Sequence, residues 1–278
     1  MRIATWNVNS IRSRFARVVD WLVSEDVDVL GMQEIKCKPE QFPVEAFEAA
    51  GYEVVAHGLD QWNGVAFASR VPMTDVETNF TGQPGFKKGF EGSEAPLEAR
   101  ALAVTVEGIR LWSLYVPNGR GLDDPHMAYK LNWLDQLASQ TSKWLNESPD
   151  QILALMGDWN IAPSDADMGD PSFIQGESTH ISPKERAAFH EFLDIGMVDV
   201  VRSFVPTGYT YWDYKQLKFP KNEGMRIDFI LGSKALADIC IDAKIHRDER
   251  KGDAPSDHVP VSIDIDTGEA ELDRPMIF

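Results

Sequence analysis

Short apolar runs recur along the chain, and most of them stop at a polar residue. Such runs are typical of strands that are buried on both faces. The first is expected to end at Asn7 and the second at Gln33 and Glu34, while Asp228 is expected in the middle of the fifth. The runs that we interpret as strands cover residues 3–6, 26–32, 109–115, 151–157, 225–232 and 259–265.

Two other segments have apolar residues at the helical period of about 3.6 residues. Ser10 is expected to cap the first helix, and the second is expected to follow the turn at residues 117–121. The apolar face of the first consists of Ile11, Phe15, Val18, Val19, Leu22 and Val23. That of the second consists of Met127, Leu131, Leu134, Leu137, Thr141 and Leu145. Strands that alternate with helices predict an α/β fold.

The length of 278 residues is near the upper limit for one hydrophobic core, so we predict a single domain over residues 1–278. Residues 264–278 are expected to form an acidic C-terminal tail. No run of 18 apolar residues exists, and the N-terminus lacks the apolar stretch of a signal peptide. Two isolated cysteines, Cys37 and Cys240, favour reduced thiols and a cytoplasmic location.

The formal net charge of −17 argues against nonspecific attraction to nucleic acid or to acidic membranes. The charge is unevenly distributed, however. Residues 1–19 contain four arginines and no acidic residue, and residues 209–226 contain four basic residues against two acidic ones. A polyanionic partner is therefore allowed if it meets these segments.

Six segments deliver an Asn, Asp, Glu, Tyr or His at the end of an apolar run, where α/β folds collect functional groups. Each residue alone could be a cap or part of a turn, but together they predict one site. Carboxylate and amide oxygens suit Mg²⁺ or Mn²⁺ rather than zinc. The motifs of zincins, α/β-hydrolases, P-loop proteins and dinucleotide-binding folds are absent. Hard ligands with one carboxylate-oriented histidine favour attack of water on a phosphate ester.

Six blocks, WNVNSIR, QEIK, YVPNGRGL, GDWNIAPSDAD, GMRIDFIL and SDHVPV, carry a family resemblance. In order and spacing they resemble the exonuclease III branch of the endonuclease/exonuclease/phosphatase superfamily, which includes abasic (AP) endonucleases. The resemblance runs from Met1 to about Asp264. It implies a four-layer α/β sandwich of the DNase I-like type, with two packed mixed β-sheets flanked by helices.

The resemblance also implies roles at a metal centre. Glu34 matches the principal metal ligand, and Asn7 and Asp257 lie close to the metal. Asp158 matches the residue that orients or deprotonates the attacking water, and Asn160 is its neighbour at the phosphate. Both are also candidate metal contacts.

Other positions match groups that act on the substrate. His258 matches the histidine at the scissile phosphate, Asp228 the carboxylate that fixes its tautomer, and Tyr115 a phenol that supports the transition state or the leaving group. Asn118 and Arg120 fall where the family contacts the DNA backbone. Whether His258 or Asp158 is the general base stays open.

Two features bear on substrate choice. The aromatic residues of segment 209–226, Trp212 among them, are either core packing or surfaces that stack on unpaired bases. Met225 stands where relatives commonly carry a tryptophan in the pocket for an abasic sugar. His180 is expected to project toward the scissile site, where its bulk would favour trimming of 3′ ends.

The resemblance therefore implies a Mg²⁺-dependent or Mn²⁺-dependent DNA-repair nuclease. Its reactions would be 3′→5′ exonuclease, 3′-end phosphodiesterase or phosphatase, or abasic-site incision. Its partner would be duplex DNA with an abasic site, a nick, or a recessed or blocked 3′ end, with no membrane involved and a monomer as the default state. The alternatives are a related enzyme that acts on phosphoinositide or sphingolipid headgroups, and a DNA-binding module without catalysis.

Overall fold

A computed structural model describes residues 1–87, 95–170, 172 and 178–268 of the chain. Twelve strands and six α-helices lie within these ranges. The strands are β1 (Arg2–Asn7), β2 (Val29–Gln33), β3 (Glu53–His57), β4 (Val65–Ser69), β5 (Thr74–Glu77), β6 (Ala101–Val106), β7 (Ile109–Tyr115), β8 (Leu153–Asp158), β9 (Val198–Asp199), β10 (Asp228–Gly232), β11 (Cys240–Ile245) and β12 (Val261–Ile265). The helices are α1 (Ile11–Ser24), α2 (Val44–Ala49), α3 (Pro125–Glu147), α4 (Pro183–Asp194), α5 (Lys218–Lys221) and α6 (Lys234–Ile239).

The strands form two six-stranded sheets. Their orders are β11-β12-β1-β2-β4-β3 and β5-β6-β7-β8-β10-β9. Each sheet contains one parallel pair at its centre, β1 with β2 and β7 with β8, and the remaining pairs are antiparallel. Both sheets are therefore mixed, as predicted.

The two sheets pack face to face. Alternate residues of each strand point to opposite faces of its sheet, and the residues on the two inner faces contact one another. Ile3 and Phe67 of the first sheet share a buried cluster with Leu111 and Met156 of the second. Gly31 of β2 makes this close approach possible, because a Cβ there would lie 2.6 Å from the terminal methyl of Met156.

Helices cover the outer faces of both sheets. On the first sheet, Trp6 packs in one cluster with Trp21 of α1 and Phe47 of α2. On the second, residues of β7, β8 and β10 pack against α3 and α4, with Trp133 and Phe192 in their cluster. The order helix, sheet, sheet, helix confirms the four-layer α/β sandwich.

Several expectations about local structure are wrong. Asp228 is the first residue of β10 and not its middle, because Met225 leaves the sheet and bridges Tyr211 and Met168. Ser10 precedes α1 with a φ of 85° but makes no side-chain hydrogen bond to the helix backbone, and its Oγ lies 3.3 Å from Ser13 Oγ instead.

The two helical faces also differ from the predicted ones. In α1 the buried face passes through Trp21, while Phe15 and Val23 are exposed. In α3 it includes Lys130, while Leu131 and Leu145 are only half-buried.

The predicted acidic tail begins later than residue 264. Asp264 lies in β12, where its carboxylate accepts a hydrogen bond of 2.7 Å from Arg2 Nε. Residues 269–278 lie outside the described residues. Among the helices of the described ranges, none combines the length and the hydropathy needed to cross a membrane.

Candidate active site

Four predicted site residues lie at one edge of the two packed sheets. Asn7 ends β1, Tyr115 ends β7 and Asp158 ends β8. The parallel register sets Tyr115 opposite Asp158, and the antiparallel register sets Asp228 opposite Asp158 as well. The strand pairing therefore brings these side chains together whatever their sequence separation.

Asn7 links the two sheets within this site. Its fully buried amide Nδ2 lies 2.8 Å from Glu34 Oε1, 2.9 Å from Asp158 Oδ2 and 3.3 Å from His258 Nε2. The backbone carbonyl oxygen of Asn7 accepts a hydrogen bond of 2.7 Å from Ser256 Oγ. Asn7 thus contacts two predicted metal-site carboxylates and the predicted phosphate-site histidine at once.

His258 is held by a carboxylate on each side. Its Nδ1 lies 2.8 Å from Asp228 Oδ2, and its Nε2 lies 3.7 Å from Asp158 Oδ2. Burial by itself lowers the pKa of His258, but Asp228 and Asp158 more than offset this and raise the pKa to about 10. The ring is therefore an imidazolium at neutral pH, with Nδ1–H donating to Asp228.

Asp158 is the carboxylate whose proton affinity suits an acid–base role at neutral pH. Burial, together with Asp228 and Glu34, raises the pKa of Asp158 to about 7 against the opposing effect of His258. Its Oδ1 accepts a hydrogen bond of 2.9 Å from the backbone N–H of Asn160, so the carboxylate is fixed in orientation.

One oxygen or nitrogen atom each of Glu34, Asp158 and His258 lies within 4.8 Å of the others. Because the His258 ring is protonated, the two carboxylates are the candidates to hold a metal ion. Glu34 has a φ of 52° and lies 2.7 Å, Oε2 to Nζ, from Lys36. Although burial opposes it, Lys36 and Asn7 keep the pKa of Glu34 below its ordinary value. Two neighbouring carboxylates, one of them ionised, offer oxygen ligands that fit a hard divalent cation, while the Asn7 amide donates hydrogen bonds to both of them.

Asp257 lies beside this group rather than in it. Its Oδ1 accepts a hydrogen bond of 3.0 Å from Asn9 Nδ2, and the backbone N–H of Asn9 donates to Asn7 Oδ1 at 3.0 Å. Asp257 and His258 therefore face different partners, and Asp257 is linked to Asn7 through Asn9 and through Ser256, whose Oγ lies 3.5 Å from Asp257 Oδ1.

Asn160, Asn118 and Arg120 are joined by hydrogen bonds, and Tyr115 lies next to Glu34. Asn118 Nδ2 donates to Asn160 Oδ1 at 3.0 Å, and the backbone N–H of Arg120 donates to Asn118 Oδ1 at 3.1 Å. Asn118 and Arg120 are exposed, as DNA contacts would require. Burial, with Glu34 next to it, raises the pKa of Tyr115 well above its ordinary value, so its phenol keeps its proton.

A cavity of about 280 Å³ is lined by His180 and by residues of segment 211–225, and Tyr211 connects it to His258. His180, Met225 and Tyr211 are among its lining residues, and the Tyr211 ring lies 4.9 Å from the His258 ring. Tyr211 is a site residue that the sequence did not single out.

Trp212 has no exposed surface and packs edge-on against Phe219, with ring centroids 5.1 Å apart. A nucleic-acid base therefore cannot stack on its ring. The substrate contact predicted for Trp212 is wrong, and Trp212 is a core residue, as the alternative interpretation had it.

A second cavity, of about 680 Å³, opens on the Glu34 side. Its lining includes Tyr115, Asn118 and Arg120 together with Lys36, Trp62 and Arg100, which sequence reasoning missed. Lys36 belongs to the recognised block QEIK and could have been found there. Trp62, with 63% of its surface exposed, lies in no recognised block.

The sequence model of the Endonuclease/Exonuclease/phosphatase family matches residues 4–258. Exodeoxyribonuclease III of Haemophilus influenzae is 29% identical over 273 residues, which cover 94% of this chain and 98% of that protein.

Two solved structures are similar over nearly the whole chain. The 3′ phosphatase NExo from Neisseria, bound to a product DNA hairpin, has a TM-score of 0.87 at 35% identity and covers 96% of this chain and 99% of its own. An AP endonuclease from Archaeoglobus fulgidus has a TM-score of 0.85 at 33% identity, with coverage of 96% and 99%.

Proposed function

The chain belongs to the endonuclease/exonuclease/phosphatase family, in its exonuclease III and AP endonuclease branch, and on that basis we propose that it is a metal-dependent nuclease of DNA repair. The observation that carries the proposal is the buried grouping of Glu34, Asp158 and the His258–Asp228 pair around Asn7. Acidic, amide and imidazolium groups in this arrangement suit hydrolysis of a phosphodiester.

Asp158 is the general base in this proposal. Its carboxylate is buried beside His258 and is fixed in orientation by the backbone N–H of Asn160, which suits removal of a proton from a water molecule at the phosphate. The water oxygen bonds to phosphorus, its proton passes to Asp158, and the bond from phosphorus to the leaving oxygen breaks.

In this mechanism the protonated His258 ring faces the phosphate with its positive charge. Asp228 keeps the ring protonated, because it accepts the hydrogen bond from Nδ1–H and raises the pKa of His258. Tyr115 remains protonated and can donate to the leaving oxygen. Mg²⁺ or Mn²⁺, held by Glu34 with Asn7 and Asp158 next to it, would neutralise charge on the phosphate and the leaving oxygen.

The test uses a 5′-labelled duplex with one internal abasic site, run beside the same duplex nicked to leave a blocked 3′ terminus. Each is incubated with Mg²⁺, with Mn²⁺ and with EDTA. We expect cation-dependent cutting, with losses of about 10²–10³-fold for Asp158→Asn and His258→Gln. His190→Gln, an exposed histidine on α4, is the matched control.

If the parent protein cuts neither duplex with either cation, the nuclease assignment fails. Release of phosphate from an inositol phosphate would then support the headgroup alternative.

Within this activity we propose that 3′-end processing predominates over abasic incision. His180 lines the cavity that Tyr211 connects to His258, and its backbone N–H and Nδ1 are held by Glu185 Oε1 at 2.9 Å and Asn160 O at 2.6 Å. A bulky ring fixed in this way narrows the space for an extruded internal sugar more than for a chain end.

His180→Gly is the sharp test, because the φ of 75° at this position suits glycine. We expect abasic incision to rise relative to 3′-end removal, and His190→Gly to leave that ratio unchanged. An unchanged ratio in His180→Gly would remove His180 from any role in substrate choice.

A further inference from the structure

Lys130 of α3 and Glu185 of α4 form an ion pair with no exposed surface on either side chain. The distance from Lys130 Nζ to Glu185 Oε1 is 2.5 Å. Removing two charges from water costs free energy that the attraction between them often only just offsets. A pair of this kind is therefore weak evidence of stabilisation, and its other contacts indicate what it does.

Lys130 connects the outer helix to two loops of the active site. Its Nζ donates to the backbone carbonyl of Asn160 at 2.7 Å and to that of Asn118 at 3.3 Å. These two residues already share a side-chain hydrogen bond of 3.0 Å. One ammonium group thus fixes the backbones of both Asn118 and Asn160.

Glu185 connects the same point to a third loop. Its Oε1 accepts from the backbone N–H of His180 at 2.9 Å and from Thr179 Oγ1 at 3.1 Å. Its Oε2 accepts from Ser182 Oγ at 2.6 Å, and Ser182 caps α4. His180 in turn reaches Asn160 O through Nδ1.

Asn160 and His180 have positive φ values of 52° and 75°. Non-glycine residues adopt this region at a cost, so the surroundings must hold them there. The buried pair contacts the backbone of both residues and supplies that restraint.

We propose that the Lys130–Glu185 pair is a positioning device that sets Asn118, Asn160 and His180 relative to one another. The pair thereby links Asn118 and Asn160 to His180, the residue that we propose favours 3′-end processing over abasic incision. Neither charged group touches the substrate. The inference rests on the proposed nuclease function.

The experiment compares Lys130→Met, Glu185→Gln and the double variant with the parent, using the two duplexes described above. Each single variant leaves one buried charge or its polar partner unmatched and is expected to unfold at lower temperature. Removing both charges together should restore most of the unfolding temperature.

Catalysis should not recover with stability. In the double variant we expect kcat about 10²-fold below the parent, the cost of a small misplacement of reacting groups, while KM changes much less. The ratio of abasic incision to 3′-end removal should shift in the direction seen for His180→Gly. Hydrogen exchange should be faster in peptides that contain residues 116–122, 158–162 and 178–182.

Arg110→Met is the matched control, because Arg110 pairs with Glu77 at the opposite end of β7 from Tyr115. It should lose stability but keep both kcat and the substrate ratio. A double variant with parental kcat, parental ratio and unchanged exchange in the three peptides would overturn the proposal. If the parent itself cuts neither duplex, the proposed function fails instead, and the exchange measurement still decides whether the pair holds the three loops.

Discussion

Replacing Asp228 with asparagine should change the chemistry of His258 while leaving the shape of the site intact. Both carboxylate oxygens lie close to His258 Nδ1, at 2.8 and 3.1 Å. Burial lowers the pKa of His258, and Asp228 is the first of the groups that raise it to about 10. In Asp228→Asn we therefore expect this pKa to fall toward its ordinary value of 6.5, with Asp158 and Asp257 still raising it.

The magnitude follows from the fraction of His258 that carries a proton. With a pKa of about 10, roughly 0.3% of the ring is neutral at about pH 7.5, whereas with a pKa of 6.5 only about 9% remains protonated. This change alone lowers the rate by up to about tenfold. Loss of a fixed charged donor at the phosphate brings the total to about 10²–10³-fold. Asparagine can also hold the neutral ring in the wrong tautomer, which acts in the same direction.

The assay is kcat/KM on the 3′-blocked nicked duplex as a function of pH. His258 acts in its protonated form, so activity is lost as the pH rises through its pKa. The alkaline limb should therefore move from near pH 10 in the parent toward neutral pH in Asp228→Asn. Asp264→Asn, whose carboxylate pairs with Arg2 at the far end of the first sheet, is the control. An unmoved alkaline limb with less than about tenfold loss of activity would refute the role of Asp228.

Two further predictions concern stability. Burial, with Lys244 acting in the same direction, lowers the pKa of His246 to about 4 from 6.5. The unfolded chain then binds a proton that the folded chain refuses, so stability falls as pH drops from about 6.5 toward 4. Urea unfolding should show the parent losing about 2 kcal/mol more than His246→Gln between about pH 7.5 and 5, and parallel losses would contradict this. Gly157→Ala should destabilise the fold by about 3 kcal/mol. Gly157 has a φ of +148°, and a Cβ at this position would lie 1.9 Å from the carbonyl oxygen of Leu114. An unchanged denaturation midpoint would show that the strand adjusts freely.

The central strands and most of the site residues were predictable because their signals are local. Continuous apolar runs end abruptly at Asn7, Tyr115 and Asp158, and the sheet then sets these ends side by side. Strands β3, β4, β5, β6, β9 and β11 were not predicted. Of these, β4 and β6 are buried apolar runs that the sequence analysis did not interpret. β5 is exposed at all four positions, so its sequence has no apolar pattern to detect.

The buried positions that the sequence analysis did not predict depend on partner residues that are distant in sequence. Lys130 stands at helical spacing from Met127 and Leu134 in the buried face of α3, but a lysine is almost never fully buried unless it is paired. Its partner lies 55 residues away. Composition likewise could not decide whether Trp212 lies inside or outside, because lysines and aromatic residues alternate around it in either case.

The acidic surplus of the whole chain is compatible with a DNA substrate because the charge at the site differs from the average. The cavity of about 680 Å³ beside Glu34 is lined by four cationic residues and three acidic ones. Two of those acids are engaged, Glu34 by Lys36 and Glu98 by Arg100. A divalent cation at Glu34 would add further positive charge where the phosphate must lie. Attraction between a protein and a phosphate is screened within about 10 Å at ordinary salt, so this local balance governs binding more than the net charge of −17 does.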